Sequence, residues 1–347
     1  MAVDILSNIS SALSQLFEAQ LARQWNRMAV TAQLIEAERG RGKNVAWDVE
    51  FSGASAGSVA EGSDVATSEF ATDVVLPATL SWATYRSSFQ ISELEVDAAA
   101  GSQGSADALL DIFGERVLGA NSKLISTINA DIFAGTGTDG SGNSNLVGLW
   151  GGALDPTGTY AGIVRGTYTE FAGNQLANSS VARALTQDLL YQLEANIFTA
   201  CGESPGVIVT SPGVVRKYAG LFESIRTVMT DGSAPSEFAG GTSNMSWRGM
   251  PVIRDRNAPT GKLLMLNKNY LKMKYLPHVM LDEGSPKKME TLVGSSGMSV
   301  KNESRIPARL VILSKTGDSY KASLKTVLQL ACARPASCGQ LIDLSEV

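Results

Sequence analysis

One apolar stripe limits the possible folds more than any other feature of the chain. Between residues 104 and 134, Leu109, Phe113, Val117, Leu124, Ile128 and Ile132 follow the 3.6-residue helical period. Ser105 can cap the start, and Gly135 stands just past the end, where a left-handed residue closes a helix. At 1.5 Å per residue such a helix runs about 45 Å. That exceeds the diameter of a small domain, so the spacing predicts a strut.

Upstream the pattern has period two. Val45, Trp47, Val49 and Phe51 alternate with Ala46, Asp48, Glu50 and Ser52, a half-buried strand. "SGASAGSVAEGSDVATSEFATD" follows, small, polar and acidic, and too poor in apolar residues to pack. Alternation returns in "LPATLSWATYRSSFQIS" with Leu80 and Trp82, then Phe89 and Ile91. Two strands with a long tip make an extended hairpin, which is marginal in water by itself. It must lie on the body of the protein or on another subunit. Residues 1 to 38 read as helix, because Ile5, Ile9, Leu13, Leu16, Phe17 and Leu21 recur at three- and four-residue steps. That arm also needs a surface, either its own body or a neighbouring chain.

The second half has a mixed rhythm. A helix carries Leu185, Leu189, Leu193 and Ile197, a buried strand "GVIV" follows, and Ser211-Pro212 opens another helix. A polar loop spans roughly 231 to 246, and the strands "MPVIRD", "KLLMLN" and "YLKMKYL" come next. Residues 277 to 306 read as polar loop, and "ARLVILSK" and "SLKTVLQLACARP" as an antiparallel pair.

Two strings imitate enzyme motifs. Gly135-Thr136-Gly137-Thr138-Asp139-Gly140 is a literal G-x-G-x-x-G, but a dinucleotide fingerprint follows a strand and opens a helix. Here it follows the strut and precedes "SGNSNLVGLWGG", read as loop, so it is a helix stop and a glycine turn. Gly53-Ala54-Ser55-Ala56-Gly57 is a literal G-x-S-x-G, but a nucleophile elbow needs a following helix and a histidine. The sole histidine is His278, in "YLPHVML". A hydrolase using Ser55 is the weaker alternative to a hairpin tip. One histidine removes most zinc sites and most histidine acid–base chemistry. Cys201, Cys332 and Cys338 form no C-x-x-C and are odd in number, so a disulfide framework is not expected, and Cys201 reads as a small buried residue. Neither a cofactor, a metal site nor a catalytic residue is expected.

The 347 residues suggest two domains, and a net charge of −5 does not advertise a nucleic-acid-binding face. The short "RGRGKN" (39 to 44) is the best basic patch. No apolar run approaches the roughly 20 residues that span a bilayer.

The order of these elements resembles the Hong Kong 97-type major capsid proteins of tailed bacteriophages. An N-terminal arm, a long hairpin and a long helix ending in "IFAGTGTDG" and "NLVGLWGG" come first. "LLYQLEANIF", "GVIVTSPGVVRKY", "WRGMPVIRD" and "GKLLMLNKNYLKM" follow. The resemblance implies an α+β fold with a long spine helix, an extended β-hairpin loop, and peripheral and axial domains. It places the N-terminal arm at 1–44, the extended loop at 45–92, the peripheral domain at 93–149 and 300–347, and the axial domain at 150–299. It implies a structural subunit, not an enzyme, that self-assembles into pentamers and hexamers of an icosahedral head around double-stranded DNA, with no sequence-specific binding and no membrane. The virion is its expected place, after assembly in the host cytoplasm. A separate scaffolding protein, a portal and a cement protein are the implied partners. Leu16, Leu21, Trp47, Phe51, Glu61, Asp64, Phe70 and Arg86 are the expected inter-subunit contacts. Some members join subunits through a lysine on the extended loop; residues 44 to 92 contain no lysine, so no such link is expected here. An encapsulin-like cargo compartment shares the fold and is the other container reading.

Overall fold

A computed structural model describes residues 30–52, 58, 61, 74–100, 105–138, 141–142, 144–222, 245–276, 279–282, 285–288, 308–313 and 317–346. The strut is one helix, Ser105–Ala134. Val117, Ala120, Leu124, Ile125, Ile128, Ile132 and Phe133 are buried along it, the one-sided pattern its sequence dictates. That face packs against a five-stranded sheet organised around the strand Ser319–Cys332.

The register of that long strand explains the layout. Lys325 stands between Arg309 and Arg86, and Leu328 between Tyr275 and Ala83. Strand Ala83–Ser92 therefore runs along one side, while Arg309–Leu313 and Leu271–Tyr275 share the other. Glu36–Arg39 pairs in parallel with Leu271–Tyr275 and ends the sheet.

A second sheet has six strands in the order Ser246–Trp247, Met250–Arg254, Val207–Thr210, Leu263–Leu266, Gly339–Leu341 and Asn174–Leu176. Val207–Thr210 and Leu263–Leu266 are buried at every position. One face, with Ile208, Val252, Leu263 and Met265, meets helices Gln187–Cys201 and Pro212–Phe222. The other, with Val207, Val209, Ile253, Leu264 and Leu266, joins the core beneath the strut. Burial on both faces is why these strands read as continuous apolar runs. Thr186 caps the first helix by accepting the Leu189 N–H, and Gly202 closes it at φ 73°. Ser211 Oγ accepts the Val214 N–H at 3.4 Å behind Pro212, as the Ser-Pro signal requires.

Several expectations are corrected. The arm is not helical to residue 38: the helix Val30–Leu34 gives way to the strand Glu36–Arg39, because the free edge of Leu271–Tyr275 offers a ladder to complete. The run 74–92 is two strands. Val74–Ser81 pairs with Asn44–Ser52, and Ala83–Ser92 leaves the hairpin for the body sheet. Gln329 holds the branch point, donating to the Ser81 carbonyl at 2.7 Å and accepting the Val147 N–H at 3.0 Å. "SGNSNLVGLWGG" is not all loop, since Thr136–Thr138 and Ser144–Val147 pair as a small hairpin. Gly135 is not left-handed. A side chain there would strike the Leu146 carbonyl and lie 2.8 Å from that of Asp131, so close backbone approach demands the glycine. Residues 277 to 306 include a strand pair, Val279–Asp282 with Ser285–Lys288. A helix over Glu93–Ala100 joins the sheet to the strut. Cys201 is half-buried.

Candidate assembly surfaces

The hairpin rises from an aromatic seat. Val45, Trp47, Val49 and Phe51 alternate on one face, opposite Leu80, Ala78 and Leu76. Trp47 packs on Tyr160 with centroids 6.2 Å apart, and Tyr160 on Phe171 at 5.8 Å. Phe51 meets Phe171 at 5.9 Å and Tyr168 at 4.4 Å. Tyr160 is delivered by the tight hairpin Thr159–Tyr160 and Ile163–Val164, whose two turn residues, Ala161 and Gly162, both have positive φ. The Thr79 N–H donates to the Ala161 carbonyl at 2.8 Å and fixes hairpin to seat.

Beneath Tyr160 lies Arg165, 2% exposed. Its guanidinium sits 5.2 Å from the Tyr160 ring centre and donates to the carbonyls of Gly152, Ala153 and Thr157. Burial pulls its pKa down, opposed by the field of Asp155. Three carbonyl acceptors and an aromatic face hold a buried cation without a direct carboxylate partner.

The root of the arm is latched separately. Buried Asp255 accepts from Thr31 N at 3.1 Å, Thr31 Oγ1 at 2.6 Å, Asn129 Nδ2 at 3.0 Å and Asn257 N at 2.8 Å. One carboxylate thus ties arm, strut and six-stranded sheet. Ala32 and Ile35 are also buried, so this segment of the arm is fixed to the body.

The outward surfaces carry opposite charge. Asp48 and Glu50 are exposed on the hairpin's outer face, opposite Pro77 and Val75. On the body sheet, exposed Arg86 faces exposed Lys325, which is in register with Arg309. Lys272 and Lys274 bridge Glu36 and Glu38, the latter pair at 3.1 Å. Part-exposed pairs of this kind contribute less than about 1 kcal/mol each.

Two tyrosines link this architecture to pH. Tyr85 OH donates to Asp131 Oδ2 at 2.6 Å and accepts the Leu146 N–H at 2.9 Å. Tyr160 OH accepts the Cys332 N–H at 3.0 Å. Burial pushes both phenols well above their ordinary 10.0, with the Asp131 bond adding to Tyr85 and the neighbouring Cys332 to Tyr160. A raised folded pKa means that the unfolded chain loses these protons first. Their contribution is therefore complete below about pH 10 and declines above it, by up to about 1.4 kcal/mol per pH unit for each phenol. Denaturant unfolding from pH 9 to 12 is expected to show the decline, and Tyr85→Phe and Tyr160→Phe to flatten it.

The expected contact residues have different fates. Trp47 and Phe51 are half-buried against their own chain, and Arg86 is exposed on the body sheet. Glu61 is exposed. Leu16, Leu21, Asp64 and Phe70 lie outside the described residues, as do Ser55 and His278. Sequence reasoning missed Tyr160, Arg165 and Phe171, and the Thr31–Asp255–Asn129 latch. The "DRN" of Asp255–Asn257, a short polar turn directly after a strand, was a weak signal for the last. Among the described residues no group of three or more acidic, histidine or cysteine side chains could hold a metal ion, and no helix is long and apolar enough to cross a membrane.

The family model described as SU10 major capsid protein matches residues 112–345. Among solved structures, the cyanophage A-1(L) capsid asymmetric unit superposes with a TM-score of 0.69 at 20% identity, covering 91% of this chain and 93% of that one. Gordonia phage Cozz gives 0.54 at 14% identity, with 92% and 87% covered. The holo-SrpI encapsulin complex from Synechococcus elongatus PCC 7942 gives 0.50 at 10% identity, with 90% and 86% covered. No curated protein sequence matches the chain.

Proposed function

Because the chain belongs to the SU10 major capsid protein family, we propose that its copies join through hairpin and arm into pentamers and hexamers that close an icosahedral head around double-stranded DNA. It is a structural capsid subunit of a bacteriophage, with the Hong Kong 97-type fold. The observation that carries the reading is the family match across residues 112–345, which takes in most of the strut, the whole six-stranded sheet and three strands of the five-stranded one.

In this reading the strut and the five-stranded sheet are the peripheral domain, and the six-stranded sheet with its two helices is the axial domain. The domains are then defined by sheets and not by continuous segments, since Leu271–Tyr275 pairs in the first and Gly339–Leu341 in the second. The hairpin, seated at its base, reaches the adjacent subunit with its tip and acidic outer face. The row of Arg86 and Lys325 offers that face a partner of opposite sign. Such contacts are heterologous, and they close into rings where the rotation permits. Scaffolding, portal and cement proteins complete the partner set, and the enclosed DNA is held without sequence readout.

Electron microscopy of the expressed chain tests this reading. Closed shells of five- and six-fold rings are expected, and a population of monomers or small oligomers under all assembly conditions would refute it. Arg86→Glu is expected to lower shell yield at least about tenfold, and Glu50→Arg in the same chain to restore part of it, the behaviour of a charge pair across an interface. DNA inside particles recovered from a productive infection separates a phage head from an encapsulin-like compartment, which would hold protein.

A further inference from the structure

The strut and the strand Ala83–Ser92 part company in the middle of their contact. On the strand's inner face Tyr85 and Ile91 are buried, whereas Ser87 and Phe89 between them are only half-buried. A groove of about 430 Å³ opens there, walled by Ser87 and Phe89 on the strand and by Arg116, Gly119, Ala120 and Lys123 on the strut. These four strut positions follow the helical repeat and form one stripe. Arg116 and Lys123 are exposed and stand two turns apart, about 10 Å along the axis. Gly119 keeps the space between them clear, since nothing lies within 4 Å of a Cβ added there.

The groove is thus a slot with a cation at each end. Arg116 bridges Glu95 at 3.0 Å with both partners exposed. A pair of this kind contributes less than about 1 kcal/mol, so another carboxylate can share or take the place of Glu95. Lys123 has no carboxylate partner among the described residues. The slot also adjoins the basic row on the sheet's outer face, because exposed Arg86 directly precedes Ser87.

Charge selects the occupant. Residues 53–73 hold Glu61, Asp64, Glu69 and Asp73 and no Lys or Arg. Residues 1–29, the other stretch in need of a surface, balance Asp4 and Glu18 with Arg23 and Arg27. Only Gly62 and Ser63 separate Glu61 from Asp64. A segment bound with an extended three-fold backbone would project these two carboxylates to one side, about 9 Å apart. That matches the spacing of the two cations and sets small residues against Gly119 and Ala120. We propose, resting on the assembly reading above, that the slot receives the hairpin tip of a second copy, with Glu61 and Asp64 paired to Arg116 and Lys123. The hairpin then grips one strand of its neighbour twice, with Asp48 and Glu50 over Arg86 and the tip beside Ser87 and Phe89. Both contacts lie at exposed charges, so salt weakens them.

The test uses the full chain. Heavy-isotope-labelled and unlabelled chains are mixed in equal amounts before assembly and treated with a zero-length carbodiimide, which joins a carboxylate to an amine that it touches. A peptide linking Lys123 to Glu61 or Asp64 is expected, with about half of the links joining a labelled to an unlabelled partner. Lys123→Glu should lower shell yield about tenfold, and Asp64→Lys in the same chain should restore most of it. Gly119→Leu fills the slot and leaves both cations in place, and should cut the link at least about fivefold. Shells that form normally without this link, or with links only inside single copies, overturn the inference and leave the assembly reading standing. Lys123 shielded from acetylation only in DNA-filled heads would give the slot to phosphate, and overturns it too. If no shell forms, the assembly reading fails, and the same link in the oligomers present decides for or against the slot.

Discussion

A chain in which residues 53–73 are replaced by Asn-Gly is expected to fold but to form no closed shell. Ser52 and Val74 are paired across the hairpin, so a two-residue turn can close the ladder at that point. Every residue of the aromatic seat lies outside the excision: Trp47, Phe51, Tyr160, Tyr168 and Phe171 all remain. The melting temperature should therefore stay within about 3 °C of the parent. What disappears is the polar, acidic tip with Glu61, Asp64 and Phe70. Light scattering and electron microscopy should show soluble small oligomers in place of particles. Normal particles from this chain would remove the tip from assembly, and an unfolded product would make it part of the subunit's own core.

Gly148→Ala is expected to destabilise the subunit by about 3 kcal/mol, read as a fall in the denaturant midpoint. A methyl group at 148 would lie 2.6 Å from the Asp131 carbonyl, 2.8 Å from the Gly135 nitrogen and 2.9 Å from the Phe133 carbonyl. All three are backbone atoms of the strut's last turn, where the Gly148 N–H also donates to the Gly135 carbonyl at 2.8 Å. No side chain can swing aside to relieve the clash. Gly119→Ala should have the opposite sign. It lies exposed in the middle of the same helix with nothing within 4 Å of the added methyl. Lower backbone entropy in the unfolded chain should stabilise it by about 0.5–1 kcal/mol. Equal effects at the two positions would show that helix propensity, and not close approach, decides.

The strut and the doubly buried strands were legible because their patterns are local. A 3.6-residue stripe needs no knowledge of what covers it, and neither does an unbroken run such as "VIVT". The division of residues 74–92 left a fainter trace. Ala78 and Leu80 point inward at even positions, whereas Ala83, Tyr85 and Ile91 do so at odd ones. The alternation changes phase at Trp82, and a phase change marks a bend. Strand Glu36–Arg39 left none, because "EAER" is a good helix former and its strand state is imposed by the partner Leu271–Tyr275. The aromatic seat was equally hidden. Ala161 adopts φ 52° in a turn where Asn or Gly is usual, so the hairpin presenting Tyr160 carries no turn signature. Arg165 looked like any surface arginine, since its acceptors are backbone carbonyls that no sequence pattern displays.

The middle of one sheet is Ser319–Cys332, and Gly339–Leu341 is an inner strand of the other. Glu346 then accepts the Gly261 N–H at 2.7 Å and hydrogen-bonds Ser211. Neither sheet can close until these late residues have emerged from the ribosome. Polypeptides broken off before residue 319 lack the central strand of one sheet and an inner strand of the other, and are expected to stay unfolded.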